Sequence, residues 1–190
     1  MLLTHSRDSH DTSEGTALPA HLSSNVRIQN KVNEKEIELL IRNGQESIGL
    51  AKIRSLVEDH RNSAKLHYQA ACLLDRLGVE QAAVEYYQTA IGLGLPDSDL
   101  RAAYLGLGST YRVLGKADLA VLVFDTALEK FPGARELRVF RCMALHNCGR
   151  DKEALEDLLK VVAETSHDPD IAMYERAIRL YAEDLDRKWI

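Results

Sequence analysis

Apolar residues in the segment 101–134 recur at steps of three and four, the spacing of one face of an α-helix. They form two runs separated by Gly115, and Pro132 with Gly133 follows the second run. Because proline cannot continue a helix and glycine suits a helix end, the segment predicts two antiparallel helices. The two runs are Tyr104, Leu107, Tyr111 and Leu114, then Ala120, Val123, Phe124, Ala127 and Leu128.

The same pattern recurs along the chain at a nearly constant interval. Turn glycines lie 34, 37 and 34 residues apart, and each is followed five residues later by a small residue and nine residues later by a bulky one. The pattern predicts four helical hairpins, at 30–63, 64–100, 101–134 and 135–168. The glycines, small residues and bulky residues are, in that order, Gly44, Gly78, Gly115 and Gly149; Gly49, Ala83, Ala120 and Ala154; Ile53, Tyr87, Phe124 and Leu158.

Segment 101–134 resembles the tetratricopeptide repeat (TPR), and the likeness extends over about residues 30–168. The residues at the family's signature positions are Tyr104, Leu107, Gly108, Tyr111, Ala120, Phe124 and Pro132. The resemblance implies an all-α fold, a right-handed α-α superhelix of about four hairpins. The first copy is degenerate, because Ile37 stands where the family has glycine. The second copy has three extra residues, which we place in the loop before residue 101, with Asp97, Ser98 and Asp99 as helix caps.

The two ends of the chain differ in character. Residues 1–29 are polar without a sustained period, which predicts a flexible tail, and no metal-ligand spacing relates His5, His10 and His21. Residues 169–190 predict a one-sided helix that caps the last repeat. A seam between two copies of the chain is the alternative for this helix, and Trp189 packs there or reaches a partner. The apolar positions of the helix are Ile171, Tyr174, Ile178, Tyr181 and Leu185.

Composition and charge limit the partners and the location. With 190 residues and a net charge of −5, the chain has no overall attraction to nucleic acid or to an anionic membrane. No apolar run approaches the length of a membrane span, and the first residues lack the apolar core of a secretory signal. Three cysteines without paired spacing argue against disulfides or zinc, so we expect a cytoplasmic protein.

No motif predicts catalysis, a cofactor or a metal. Gly106 and Gly108 lie within a predicted helix without the preceding strand that a dinucleotide site requires. Cys142 and His146 are four residues apart, as a nucleophile and its base could be on a helix. Cys142 stands at the close helix contact, however, where a small buried thiol is the simpler interpretation. We therefore predict that the protein is not an enzyme.

The resemblance implies that the first helix of each hairpin lines a concave groove, and that a protein or peptide partner binds there. The Lys/Asn/Arg clamp with which some relatives hold a peptide carboxylate is absent. The sequence predicts instead an apolar floor with cationic edges, and hence an adaptor or scaffold. The alternatives are a structural homodimer through the C-terminal helix and a peptide-responsive regulator. The predicted groove residues are Lys65, Tyr68, Cys72, Arg76, Leu105, Ser109, Arg112, Val139, Phe140, Met143 and His146.

Overall fold

The structure, a computed structural model, describes residues 35–188, and those from Ile37 onward form one compact unit. The predicted tail 1–29, the start of the first repeat and Trp189 lie outside the described residues. Every regular element in the described range is a helix. The helices are α1 (35–42), α2 (Glu46–Glu58), α3 (Ala64–Arg76), α4 (Glu80–Leu93), α5 (Asp97–Val113), α6 (Ala117–Lys130), α7 (Arg135–Asn147), α8 (Asp151–Thr165), α9 (Pro169–Ala172) and α10 (Glu175–Tyr181).

The helices from α1 to α8 form hairpins in consecutive pairs, and all four turn glycines adopt positive φ values between 71° and 77°. The residue after each glycine donates its N–H to the carbonyl four positions before the glycine, at 2.9 Å in every copy. This is the Schellman ending of a helix, and it needs a left-handed residue that glycine adopts without a steric penalty. The predicted turns are therefore confirmed. The donor–acceptor pairs are Gln45–Leu40, Val79–Leu74, Lys116–Tyr111 and Arg150–Leu145.

The hairpins pack through contacts between small and aromatic residues. A Cβ on Gly108 would overlap the ring of Phe124, which is fully buried. A Cβ on Gly106 would lie 2.5 Å from the ring of Tyr87 in the preceding hairpin. Ala120, at the other small position, is completely buried. These residues therefore set both the spacing within a hairpin and the spacing between hairpins.

The three extra residues of the second repeat lengthen a helix rather than a loop. Helix α5 has 17 residues, whereas α3 and α7 have 13 each. Pro96 is its N-cap, so the prediction that Asp97, Ser98 and Asp99 cap the helix is wrong. Asp97 and Asp99 lie inside the first turn, where carboxylates favour the positive end of the helix dipole. Leu100 in the same turn is buried and stabilises the extension.

In the last hairpin an ionic layer replaces part of the apolar packing. Arg138 on α7 donates to Asp157 Oδ1 at 2.6 Å and to Glu164 Oε2 at 2.9 Å on α8. Arg141 bridges Asp125 of α6 and Glu153 of α8, at 2.5 and 2.9 Å. The matching residues of the third repeat are Tyr104 and Leu107, which are buried. The α7–α8 hairpin is therefore held by charge pairs where its neighbour is held by apolar contact.

The C-terminal segment differs from the single helix that the apolar spacing indicates. Asp168 caps α9 by accepting from Asp170 N and Ile171 N at 2.9 and 3.2 Å, as its position before Pro169 suggests. Helix α9 has only four residues, and a turn at residues 173 and 174 separates it from α10. Helix α10 packs on α8. Its Tyr181, in the predicted apolar series, remains exposed.

Replacing Gly108 with alanine should destabilise the protein by about 1–3 kcal/mol, because the added methyl overlaps a ring that has no room to move. Urea unfolding followed by circular dichroism measures this change. Gly92→Ala is the matched control: it lies in α4 with nothing within 4 Å of its Cβ position. That control should gain about 0.5–1 kcal/mol, since alanine favours a helix. Equal effects of the two substitutions would contradict the close contact.

The protein should become less stable in acid, because protonation of Glu164 removes its interaction with Arg138. Hydrogen bonds from the Arg138 guanidinium lower the pKa of the Glu164 carboxyl below its ordinary value of 4.5. A carboxyl group whose pKa is lower in the folded than in the unfolded state stabilises the fold at any pH above its unfolded-state pKa. This contribution is lost as the pH falls through the folded-state pKa.

Arg138→Met should therefore reduce the difference between urea midpoints measured at neutral pH and below the ordinary Glu pKa. Arg61→Met removes an exposed pair with Glu58 and should leave that difference unchanged. An identical acid response in wild type and Arg138→Met would contradict the role of the ionic layer.

Candidate functional site

The first helices of successive hairpins pack side by side: α5 packs directly on α3 and on α7. Polar side chains join α5 to its two neighbours, and each contact links residues 34 or 35 positions apart, one repeat in sequence. These contacts fix the surface that the sequence predicts to be the binding groove. They are Lys65 Nζ to Asp99 Oδ2 at 2.7 Å, Thr110 Oγ1 to Asp75 Oδ1 at 2.9 Å, Arg101 Nε to Glu136 Oε1 at 2.9 Å and Arg112 Nη1 to Asn147 Oδ1 at 3.4 Å.

At the α3 end of this surface, predicted residues contact one another. The Lys65 ammonium lies 5.5 Å from the centre of the Tyr68 ring, in the geometry of a cation–π contact. Burial, with the neighbouring Cys72 thiol, raises the pKa of Tyr68 to about 12. The Tyr68 hydroxyl therefore keeps its proton near neutral pH and is a hydrogen-bond donor. Cys72 is half-buried beside it, and Arg76 on the same helix is exposed.

A polar cluster between α3 and α5 was not among the predicted site residues. Asp75 accepts from Thr110, which is buried, and from the Tyr87 hydroxyl at 3.4 Å. Burial raises the pKa of Tyr87, so its hydroxyl is also a donor. The sequence signal was the spacing of Asp75 and Thr110, 35 residues apart on successive first helices. Asp75 is only half-buried, and it lies on α3, one of the helices that the sequence predicts to line the groove.

The predicted apolar floor is partly open and partly used by the core. Tyr68, Leu105 and Val139 are half-buried, as is the neighbouring polar Ser109, and Met143 is exposed. Phe140 packs against the core, with its ring centre 6.5 Å from that of Phe124. Phe140 therefore covers the preceding hairpin, and its loss would disturb folding as well as any binding. The floor available to a partner consists of the other four residues.

Four predicted residues line one cavity of about 390 Å³ near the end of the array. They are joined by Leu155 and Leu158 of α8, which are both exposed, although the repeat pattern places Leu158 at a packing position. The cavity wall is mostly apolar, apart from its rim. The four predicted residues are Arg112, Val139, Met143 and His146.

The rim of this cavity is charged. His146 Nδ1 lies 2.5 Å from Asp151 Oδ1, and both side chains are exposed. The Arg112 Nε is buried and has no acceptor among the described residues. Because Arg112 lines the cavity, a carboxylate bound there would lie near the positive charge of its guanidinium.

The Cys142–His146 pair lacks the arrangement of a nucleophile and its base. Cys142 is buried and its thiol lies 3.8 Å from Asp157 Oδ2. Burial, with the Asp157 charge, raises the pKa of the Cys142 thiol to about 11. His146 interacts with Asp151 instead. The thiol is therefore protonated and shielded at neutral pH, as a structural cysteine is.

Two further features of residues 35–188 bear on possible ligands. Within that range no three His, Cys, Asp or Glu side chains are grouped so that they could hold a metal ion. None of the helices described combines the length and apolar character that crossing a bilayer requires.

Stacked helical hairpins with a glycine at each turn and a small residue facing an aromatic ring define a helical-repeat solenoid. The tetratricopeptide repeat family model matches residues 64–185, well over half of the chain. The chain belongs to the TPR family, as the sequence predicts, and its fold is a TPR solenoid. Proteins of this family generally bind other proteins and are not catalysts.

One solved structure with a similar fold is the crystal structure of YrrB, described as a TPR protein with an unusual peptide-binding site. The two share 22% sequence identity with a TM-score of 0.54, over 82% of this chain and 78% of YrrB. At that identity the likeness concerns the fold.

Cys142 should react with iodoacetamide at least about tenfold more slowly than Cys72 in the native protein at mildly alkaline pH. The buried thiol has little thiolate and little access, whereas Cys72 is half-exposed. Peptide mass spectrometry of the alkylated chain measures both rates. In denaturant the two rates should converge, and preferential labelling of native Cys142 would overturn its structural assignment.

Proposed function

We propose that the protein is a non-catalytic adaptor or scaffold that binds a protein or peptide on the surface formed by α3, α5 and α7. The observation that carries this proposal is the exposure pattern of those helices. Positions that pack the hairpins, such as Ala103 and Leu107, are buried, whereas Leu105 and Ser109 on the same helix are partly open. Since packing does not occupy them fully, they are available to a ligand.

The chemistry of this surface indicates the kind of peptide. Half-exposed Leu105 and Val139 suit an apolar side chain of a helix or an extended segment. The hydroxyl of Tyr68 supplies a donor at one end, and the Arg112 guanidinium supplies charge at the other. The ligand that fits is an apolar peptide with an acidic residue toward α7. The peptide-binding site described for YrrB, on a similar fold, is consistent with this proposal.

The proposal is tested by capturing partners from a native lysate of the source cells with the immobilised full-length chain and identifying them by mass spectrometry. Leu105→Asp places a charge on the floor, and Ser109→Arg blocks it without removing an apolar contact. Both should lose the captured proteins by about tenfold or more, since a buried charge without a partner is unfavourable in an interface.

Leu122→Asp is the matched control, because Leu122 is an exposed leucine on the second helix α6. It should retain the partners that wild type retains. Circular dichroism should give the same helical content for all variants. Retention of the same partners by both groove variants would contradict binding on this surface.

A further inference from the structure

The last hairpin leaves open the positions that a following helix covers in the preceding one. Val121 and Phe124 of α6 are 5% and 0% exposed; α7 packs on α6, and its Phe140 contacts Phe124. The corresponding residues of α8, 34 positions later, are Leu155 and Leu158, which are 48% and 36% exposed. Together with Met143 of α7, they border the cavity of about 390 Å³ described above. We call these three residues and that cavity the end slot.

The repeat register identifies what the end slot lacks. Phe140 packs against Phe124 at the preceding junction with the two rings tilted by 52°, and the residue 34 positions after Phe140 is Tyr174. Tyr174 is 60% exposed and leaves Leu158 open. A helical segment carrying a large side chain in this register would complete the junction.

Charge pairs hold the chain's own C-terminal segment on a different face of α8. The face consists of Lys152, Glu156 and Lys160, which recur at four-residue steps. Leu155 and Leu158 lie away from it, since a helix turns about 100° per residue. The segment is therefore anchored beside the end slot without filling it. The contacts are Lys152 to Asp184 at 2.7 Å and to Asp186 at 2.8 Å, Lys160 to Glu183 at 3.5 Å, and the N–H of Leu185 to Glu156 at 3.1 Å.

The C-terminal segment itself exposes an apolar surface, which we call the terminal stripe. Of the fifteen large apolar residues that are exposed in the described chain, nine lie after residue 142, in the end slot or the terminal stripe. Such a concentration on one end of a molecule marks an interaction surface. The terminal stripe consists of Ile171, Met173, Tyr174, Leu180, Tyr181 and Leu185.

We propose that the occupant of the end slot is the terminal stripe of a second copy of this chain, in a two-fold symmetric dimer. Both surfaces lie in the same region of each copy, so one symmetric contact covers both stripes and both slots. Charge also matches: the Arg112 guanidinium lines the cavity of the end slot, and the segment that carries the terminal stripe has a carboxylate at Asp170, four residues before Tyr174. The end slot shares Met143 and the Arg112 rim with the α7 end of the proposed groove, whereas Leu105 and Ser109 take no part in it.

Analytical ultracentrifugation of the full chain over a wide range of concentration tests the dimer. Wild type should show a reversible monomer–dimer equilibrium. Leu155→Lys in the end slot and Tyr174→Glu in the terminal stripe should each raise the dissociation constant about 30-fold or more. Leu122→Glu, at an exposed position on α6, should leave the dissociation constant unchanged.

Mixing the two single variants distinguishes this specific pairing from non-specific apolar association. A mixed dimer keeps one intact stripe–slot contact, and in the other it brings together the two introduced charges, which are opposite in sign. Association should therefore recover in the mixture. Failure to recover on mixing would overturn the pairing even if each variant dissociates. A wild type that stays monomeric at all concentrations, or variants that associate like wild type, would overturn the dimer and leave the slot to a different partner.

Discussion

The contact between a glycine and an aromatic ring determines how closely the helices of this solenoid approach. Gly108 admits the Phe124 ring within a hairpin, and Gly106 admits Tyr87 from the hairpin before it. Any side chain at these two positions would move a helix and, with it, the polar contacts between successive first helices. The arrangement of the proposed binding surface therefore depends on two residues that contribute no side chain to it.

The hairpins, their turns and the family could be predicted from the sequence because local chemistry specifies them. A glycine after a helical run needs no distant partner to end the helix, and the same carbonyl accepts in all four copies. Small and large residues at fixed distances from that glycine then place the packing layer. Phe124 and Ala120 were identified as core residues in this way, and both are completely buried.

The candidate site was harder to predict because it depends on residues far apart in sequence. Position in the repeat placed Phe140 on the groove floor, although its ring is used against Phe124. Asp75 meets Thr110 and Tyr87 only once α3, α4 and α5 are packed. The end of α10 at Tyr181 was not predicted either. The residues that follow it include Asp184, which pairs with Lys152 on α8, an attraction that apolar periodicity does not reveal.

The ionic layer around Arg138 and Arg141 gives the last hairpin a thermal behaviour of its own. Exposing apolar surface raises the heat capacity of unfolding, whereas exposing polar surface lowers it. Opening the α7–α8 hairpin therefore carries a smaller heat-capacity change per residue than opening the α5–α6 hairpin, which buries Tyr104 and Leu107. Its stability curve is flatter, and the cost of desolvating its charges falls on warming. A change of temperature therefore alters the stability of the α7–α8 hairpin less steeply than that of the α5–α6 hairpin.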